Sequence, residues 1–387
     1  MTYRPLEQAF PVGDLKLAAL NSAKDLGQKV NQYLVETRKG YENKQYKGIF
    51  FDYYQKDNYL LEFITPRFGS GEGKGQLNES VRGTDLFILV DPVNAANLYK
   101  MNNEDTFTSP DDNFQELKRV IAACSGNPTR INLIMPFLYE GRRDNRTQRE
   151  SLDCSVALNE LIDMGVKNII TFDAHEPRIE NAIPLEGFDN FNPSLQFISA
   201  LLEHDKELSV NGDTLMTVSP DENGTKRAIY YANMLGVNTG MFFKRLDYTT
   251  LVDGAHPVLS HEFLGASVEG KTVMVVDDMI SSGEALLETA RQLKLRKASK
   301  VYICATYGLF TKGLEEFDKA YSEGAFDHLF TTNLTYIDPS VKTRSYYTEV
   351  DMSRYLATII NSINHDSSIE NIIEPAKRIQ EVIKNRK

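Results

Sequence analysis

Short apolar runs recur along the chain at strand length, and stretches with apolar residues three and four apart fall between several of them. The runs at 86–90, 131–135, 168–172, 214–218, 237–243, 272–276, 301–305 and 329–331 predict strands. Helical spacing appears at 113–123, 154–164, 226–235 and 285–295; in the last, Leu286, Ala290 and Leu293 share one apolar face. Near the start, Leu26, Val30, Tyr33 and Leu34 fall at helical spacing behind Ser22, a candidate cap. The segment 352–363 is amphipathic as well, and a charged tail follows it. Alternation of this kind predicts an α/β fold, a mainly parallel twisted sheet flanked by helices.

At 387 residues the chain is long enough for two such domains, each with its own core. Two predicted strands end in acidic residues beside a polar turn, TFDAH at 171–175 and VVDDM at 275–279. Ligands of open parallel sheets bind outside the carboxyl ends of strands, so the duplication predicts two half-sites, one per domain. The expected division is 1–190, 191–340 and a C-terminal helix and tail over 341–387, with the boundary in the loop-like stretch EGFDNFNPS.

A formal charge of −11 argues against bulk nucleic-acid binding and leaves room for a local basic pocket that receives phosphates. Cys124, Cys154 and Cys304 lie far apart with no CxxC pair, which suits a reducing cytoplasm and gives neither a disulfide framework nor a zinc site. The N-terminal stretch lacks the charged-then-apolar pattern of a signal peptide, and the apolar runs are far short of a membrane span. The expectation is a cytoplasmic protein with no membrane and no nucleic-acid partner.

Residues 265–272, GASVEGKT, satisfy the phosphate-loop pattern G-x-x-x-x-G-K-[ST]. That motif works when a strand precedes it and a helix follows, so that helix N-terminal amides meet the phosphates. Here a strand follows instead, and the segment is expected to be a plain turn.

The strongest chemical signal is VMVVDDMISSGEALLETARQL at 273–293. A buried strand delivers Asp277 and Asp278 to its carboxyl end, and a Ser281-Ser282-Gly283 turn then opens a helix. Amides and hydroxyls at such a turn make a nest for a phosphate dianion, and ionised carboxylates accept from sugar hydroxyls. The plainer reading is a strand–turn–helix with serine caps, against which stands the cost of burying two acids without partners. Arg142, Arg143, Arg146 and Arg149 lie within eight residues, either a solvated loop or guanidinium forks for phosphate. His175 follows Asp173 at a strand end, where it is either structural or placed to touch a metal or phosphate oxygen. Asp221, in SPDENG, is equally a helix cap, and Lys244 and Arg245 are equally the solvated edge of an apolar strand.

The 273–293 segment resembles the phosphoribosyl-pyrophosphate-binding motif of the phosphoribosyltransferase-like superfamily, and its surroundings resemble the ribose-phosphate pyrophosphokinases in particular. Residues 15–34 resemble that family's first strand and helix, and 67–89 its FSDGE loop and the stretch after it. PFLYEGRRD at 136–144 resembles P-Y-x-x-Y-x-R-Q-D, TFDAHEPRIENAIP its D-L-H-A segment, and SPDENGTKRAIYYANML at 219–235 its SPD-x-G-G-x-x-R-A. The six segments run in the family's order. The resemblance implies two phosphoribosyltransferase-like domains and transfer of the diphosphoryl group of ATP to ribose 5-phosphate with Mg²⁺. It places ribose 5-phosphate on Asp277, Asp278, Ser281, Ser282 and Gly283, and ATP on Phe68, Glu72, Arg142, Arg143 and Asp144. It associates Mg²⁺ with His175 and Asp221, makes Lys244 the catalytic cation with Arg245 and His175 beside it, and implies a homo-oligomer, often hexameric.

The sequence departs from the family pattern in four places. DTGGT becomes SSGEA, so that Glu284 brings negative charge near the phosphate unless its side chain turns outward. DKRRP becomes FKRL, with Leu246 where the second arginine is expected. FSDGE becomes FGSGE and loses one acid, and a stretch near 40–65 looks inserted, an extra hairpin by its pattern. The departures at 246 and 284 motivate one alternative, a catalytically weak regulatory paralogue that binds nucleotide or sugar phosphate; a second, a phosphoribosyltransferase that consumes the activated sugar, predicts a single such domain and is opposed by the ordered ATP-side segments.

Overall fold

The computed structural model describes residues 10–39, 54–142, 149–246, 258–373 and 375–385, with 244–246, 258–260 and 371 described in backbone alone. The chain divides into two compact units. One comprises Met1–Asn192, Asn333–Tyr336 and Asp351–Ile373; the other comprises Pro193–Thr332, Ile337–Val350 and Glu374–Lys387.

In the first unit the elements are β1 (Asp14–Ala19), α1 (Lys24–Lys39), β2 (Phe63–Ile64), β3 (Gln76–Leu77), β4 (Thr84–Leu89), β5 (Leu98–Met101) and β6 (Glu104–Phe107). There follow α2 (Pro110–Cys124), β7 (Arg130–Ile134), α3 (Asp153–Asp163), β8 (Asn168–Phe172) and β9 (Gly187–Phe191). The five longer core strands form a parallel sheet in the order β1-β4-β7-β8-β9. Leu86 and Ile88 pack with Phe114, Leu117, Val120, Cys154 and Leu158 of α2 and α3, while the alternate Phe87 and Leu89 are equally buried. A strand with both sides buried reads as a continuous apolar run, which is why 86–90 was legible. Each such side chain removed from water is worth about 1.5–3 kcal/mol.

Local chemistry sets the ends of α2. Ser109 Oγ accepts from the Asp112 N–H, the Asp112 side chain returns to the Ser109 N–H, Pro110 opens the first turn, and Ser125 closes the helix at φ +50°. Ser22, expected as a cap, is no cap. It sits in the 3₁₀ turn before α1, and its Oγ accepts the Asp91 N–H at 3.2 Å. The stretch 187–191, which reads as loop because it is polar and aromatic, is the edge strand β9. Its burial is only partial, so no apolar run marks it. Of the region near 40–65, residues 40–53 lie outside the described residues; Phe63–Ile64 pairs with Gln76–Leu77 as a two-stranded ribbon.

The second unit holds α4 (Ser194–His204), β10 (Leu215–Ser219), α5 (Thr225–Leu235), β11 (Asn238–Leu246), β12 (Val258–Gly265), β13 (Thr272–Ile280) and α6 (Glu284–Leu295). It continues with β14 (Lys300–Gly308), α7 (Glu315–Ser322), β15 (His328–Thr332), α8 (Pro339–Lys342), β16 (Tyr347–Val350) and the late helix α11 (Ala376–Lys384). Its sheet runs β12-β11-β10-β13-β14-β15-β16, parallel except for the antiparallel β11–β12 pair. The phosphate-loop look-alike at 265–272 links β12 to β13 as a turn, with Gly270 at φ +75° and Lys271 Nζ donating to the Gly212 carbonyl at 2.7 Å. No helix follows it.

The helix α9 (Ser353–Asn364) lies C-terminal to the second sheet in sequence and belongs to the first unit. Asn364 Nδ2 donates to Asp85 at 2.9 Å, Arg130 grips the same carboxylate with two bonds of 2.9 Å, and Arg130 also donates to the Ile363 carbonyl at 2.8 Å. Arg38 of α1, 1% exposed, donates to Asn361 and Asn364 at 3.0 and 2.6 Å. A short helix α10 (Glu370–Ile373) ends this part.

His328 opens β15 fully enclosed, its Nε2 at 2.8 Å from Thr348 Oγ1 and its ring stacked 3.8 Å from that of His204. Burial first, and His204 second, push its pKa down to about 4. The unfolded chain therefore takes up this proton before the folded one does, between about pH 6.5 and 4. The contribution is whole above the unfolded value and is lost as pH falls toward the folded one. Urea titrations should show stability falling by about 3 kcal/mol over that window, and His328→Gln should flatten this part of the slope.

Candidate active site

The second unit assembles its chemistry at the carboxyl end of β13. Residues 272–276 of this strand are buried, so it cannot shift without moving the core, and its next two residues are Asp277 and Asp278. Their side chains are 18% and 5% exposed. Asp277 Oδ1 accepts the Asp278 N–H at 2.9 Å, and Arg227 Nη1 lies 3.7 Å from Asp277 Oδ1 and 3.8 Å from Asp278 Oδ1. Burial, and next the charge of Asp278, hold the Asp277 carboxyl well above the usual range; Arg227 opposes this and Asp221 adds to it. The four side chains therefore form one electrostatic group. Sequence reasoning assigned no role to Arg227; the arginine of SPDENGTKRA, placed by the first turn of α5, is the signal that marks it.

Asp221 does local work too. Its Oδ1 accepts the Gly224 N–H at 3.0 Å, closing the turn that leads into α5, and its own carbonyl accepts from Ser219 Oγ at 2.7 Å. The turn and the electrostatic group share this residue.

Ser281, Ser282 and Gly283 connect β13 to α6. Gly283 is the N-cap at φ +82°, and a β-carbon built there would lie 2.1 Å from Phe317 Cζ. Glycine alone meets both conditions. As N-cap it brings no side chain of its own to the first amides of α6; the Glu284 N–H donates to Ser282 Oγ at 3.5 Å, and the helix end presents its amides as donors. The loop after β14 braces the turn: Leu309 N–H donates to the Ile280 carbonyl and Thr311 N–H to the Ser281 carbonyl, both at 2.9 Å. Glu284 is exposed, and Lys312 Nζ meets its Oε1 at 2.6 Å. Its negative charge is thus matched by an ammonium beside the helix N-terminus.

In the first unit, Phe68 and Glu72 lie on the loop between β2 and β3. Phe68 N–H donates to the Glu72 carbonyl, and Gly71 N–H to the Phe68 carbonyl, both at 2.8 Å. Phe68 stands 56% exposed, and Glu72 is exposed with Ser70 Oγ donating to it at 3.0 Å. Arg142 and Arg149 are exposed near the end of β7 and before α3, whereas Arg143, Asp144 and Arg146 lie outside the described residues. His175 is exposed just beyond β8, after Asp173 at φ +43°. Lys244 and Arg245 lie on β11, in register with His261 and Ser260 of β12, and the pairing shifts between Arg245 and Leu246; their side chains lie outside the described residues.

Among the described residues no group of three or more His, Cys, Asp or Glu side chains is arranged to hold a metal ion. The residues present fit a hard divalent ion that keeps most of its shell in water and phosphate oxygens and takes one or two carboxylates from protein. The acidic surplus around Asp221, Asp277 and Asp278 suits such a charge. No described helix is long and apolar enough to cross a membrane.

Comparison with known proteins follows the same division. Residues 15–165 match the N-terminal domain of ribose phosphate pyrophosphokinase, and residues 195–328 match a phosphoribosyl transferase domain. A ribose-phosphate pyrophosphokinase of Pasteurella multocida is 27% identical over 307 residues, covering 78% of this chain and 88% of its own. One from Synechococcus elongatus is 28% identical over 316 residues, covering 81% and 86%. Among solved structures, phosphoribosylpyrophosphate synthetase from Mycobacterium smegmatis superimposes with a TM-score of 0.71 at 22% identity, covering 92% of this chain and all of that one, which bears on fold alone.

Gly283→Ala should destabilise the protein by about 2–4 kcal/mol, from the left-handed backbone and the collision with Phe317 together. A urea midpoint unchanged from wild type would mean that the turn relaxes freely.

Proposed function

The chain belongs to the ribose-phosphate pyrophosphokinase family, and we propose that it transfers the β,γ-diphosphoryl group of ATP to the 1-hydroxyl of ribose 5-phosphate, releasing AMP. The observation that carries this reading is the carboxylate pair of Asp277 and Asp278 ending a buried strand, faced by Arg227 and followed by the Ser281–Gly283 turn into α6. Twin carboxylates accept from two adjacent ribose hydroxyls. The α6 amides, with the Ser281 and Ser282 hydroxyls, receive the 5-phosphate at the positive end of the helix.

In the reaction, O1 of the sugar bonds to the β-phosphorus as its proton passes to solvent, the bond from that phosphorus to the α,β-bridging oxygen breaks, and that bond's electron pair leaves with AMP. Transfers of this kind depend on alignment and charge neutralisation rather than on covalent catalysis. We assign Lys244, with Arg245 beside it, to the charge that develops on the transferring group. Phe68 offers a ring face to the base, and Glu72, Arg142, Arg143 and Asp144 are assigned to the rest of ATP. His175 and Asp221 are assigned to the metal-bound triphosphate. Mg²⁺ supplies neutralisation and alignment of the triphosphate oxygens when bound.

The reading extends to a homo-oligomer, with Phe68 and Glu72 serving a neighbouring copy, and to a cytoplasmic setting that suits three buried cysteines outside any disulfide. The regulatory alternative loses one support, because Glu284 is engaged by Lys312. A phosphoribosyltransferase that consumes the activated sugar needs one such domain, whereas this chain has two units and matches the pyrophosphokinase N-terminal domain in the first.

AMP release from ATP and ribose 5-phosphate, with Mg²⁺ and phosphate present, tests the proposal; no AMP under these conditions sinks it. Lys244→Ala should lower kcat by about 10²–10³-fold with an unchanged circular dichroism spectrum. Near-normal turnover would remove Lys244 from its assigned role.

A further inference from the structure

Between β4 and α2 the chain makes a hairpin, β5–β6, that no apolar run or motif marks. Its turn residues Asn102 and Asn103 have φ of 53° and 68°, the two positive values that a tight two-residue hairpin turn requires and asparagine tolerates. A two-stranded ribbon is marginal alone in water, so this one depends on what it packs against.

It packs against the Phe68 loop. Asn102 N–H donates to the Gly69 carbonyl at 2.8 Å. Alternation puts Tyr99 and Met101 on the half-buried side of β5 and leaves Leu98 and Lys100 exposed. The Arg67 guanidinium lies 4.7 Å over the Tyr99 ring, while Arg67 Nη1 donates to the Gly71 carbonyl at 3.1 Å and Nη2 pairs with Asp112 at 3.0 Å. A β-carbon at Gly71 would lie 3.0 Å from Met101 Sδ. The glycine-rich loop thus lets the hairpin tip approach its backbone, and Tyr99 and Met101 meet the residues on either side of Phe68. The Phe68 side chain itself remains mostly exposed at the loop's crest.

We propose that the β5–β6 hairpin is a positioning element for a purine nucleotide: Tyr99 and Met101 fix the loop so that the Phe68 ring is presented as a flat stacking face. The inference rests on the assignment of Phe68 to ATP and adds the residues that act through it. Stacking on a base is sensitive to ring position, so a loosened loop weakens nucleotide binding while leaving the sugar phosphate site alone.

Calorimetric titration of the full-length protein with ATP and, separately, with ribose 5-phosphate tests this without relying on turnover. Tyr99→Ala and Met101→Ala should each raise the Kd for ATP about tenfold, with the Kd for ribose 5-phosphate within about twofold of wild type. Tyr99→Phe, which keeps a ring under Arg67, should restore ATP binding. Phe68→Ala serves as the reference. If it weakens ATP binding and the hairpin variants do not, the positioning role is overturned and the Phe68 assignment stands. If Phe68→Ala itself leaves ATP binding unchanged, the assignment fails and the inference with it. Equal weakening of both ligands by the hairpin variants would reveal general loosening and also overturn it.

Discussion

Two carboxylates held side by side at the end of a buried strand impose the condition around which the second unit is organised. The strand has no freedom to swing Asp277 and Asp278 out into water, because residues 272–276 are buried and paired with β10 on one side and β14 on the other. Burial and mutual repulsion raise the cost of ionising both. Arg227, carried by the first turn of α5, stands within 4 Å of each. The group retains an acidic surplus, and that surplus suits hydroxyl donors and cations.

The same strand fixes the phosphate turn. Its last residue, Ile280, accepts from the loop after β14, and Gly283 adopts a left-handed backbone against Phe317 before α6 begins. Carboxylates and helix amides are therefore set by neighbouring residues of one rigid segment, acceptors first and donors next. Glu284 lies within this frame but is answered by Lys312 across the turn, so the altered turn sequence keeps its electrostatic balance near the helix end.

The first unit is stabilised by a different device. Asp85, enclosed at the start of β4, collects Arg130, Asn132 and Asn364. Breaking such a network strands a buried charge, so the connection of α9 to the first sheet is specific as well as apolar. The Phe68 loop of the same unit is held by backbone bonds and by the β5–β6 hairpin rather than by core burial, which suits a surface that meets a ligand.

The central strands, the helices between them and the turn at 281–283 were readable along the chain, because buried parallel strands are unbroken apolar runs and acids at their ends stand out against them. The order of elements alone also marked GASVEGKT as a turn. The hairpin at 98–107 and the edge strands β9 and β12 were not readable in this way, since partly exposed strands carry no apolar signature. That Ser22 serves Asp91 rather than a helix, that Arg227 faces both carboxylates, that Glu284 meets Lys312 and that α9 joins the first unit came from the folded arrangement. Each of these joins side chains or elements separated in the chain, and such pairings are set by how elements pack in space, which local spacing does not encode.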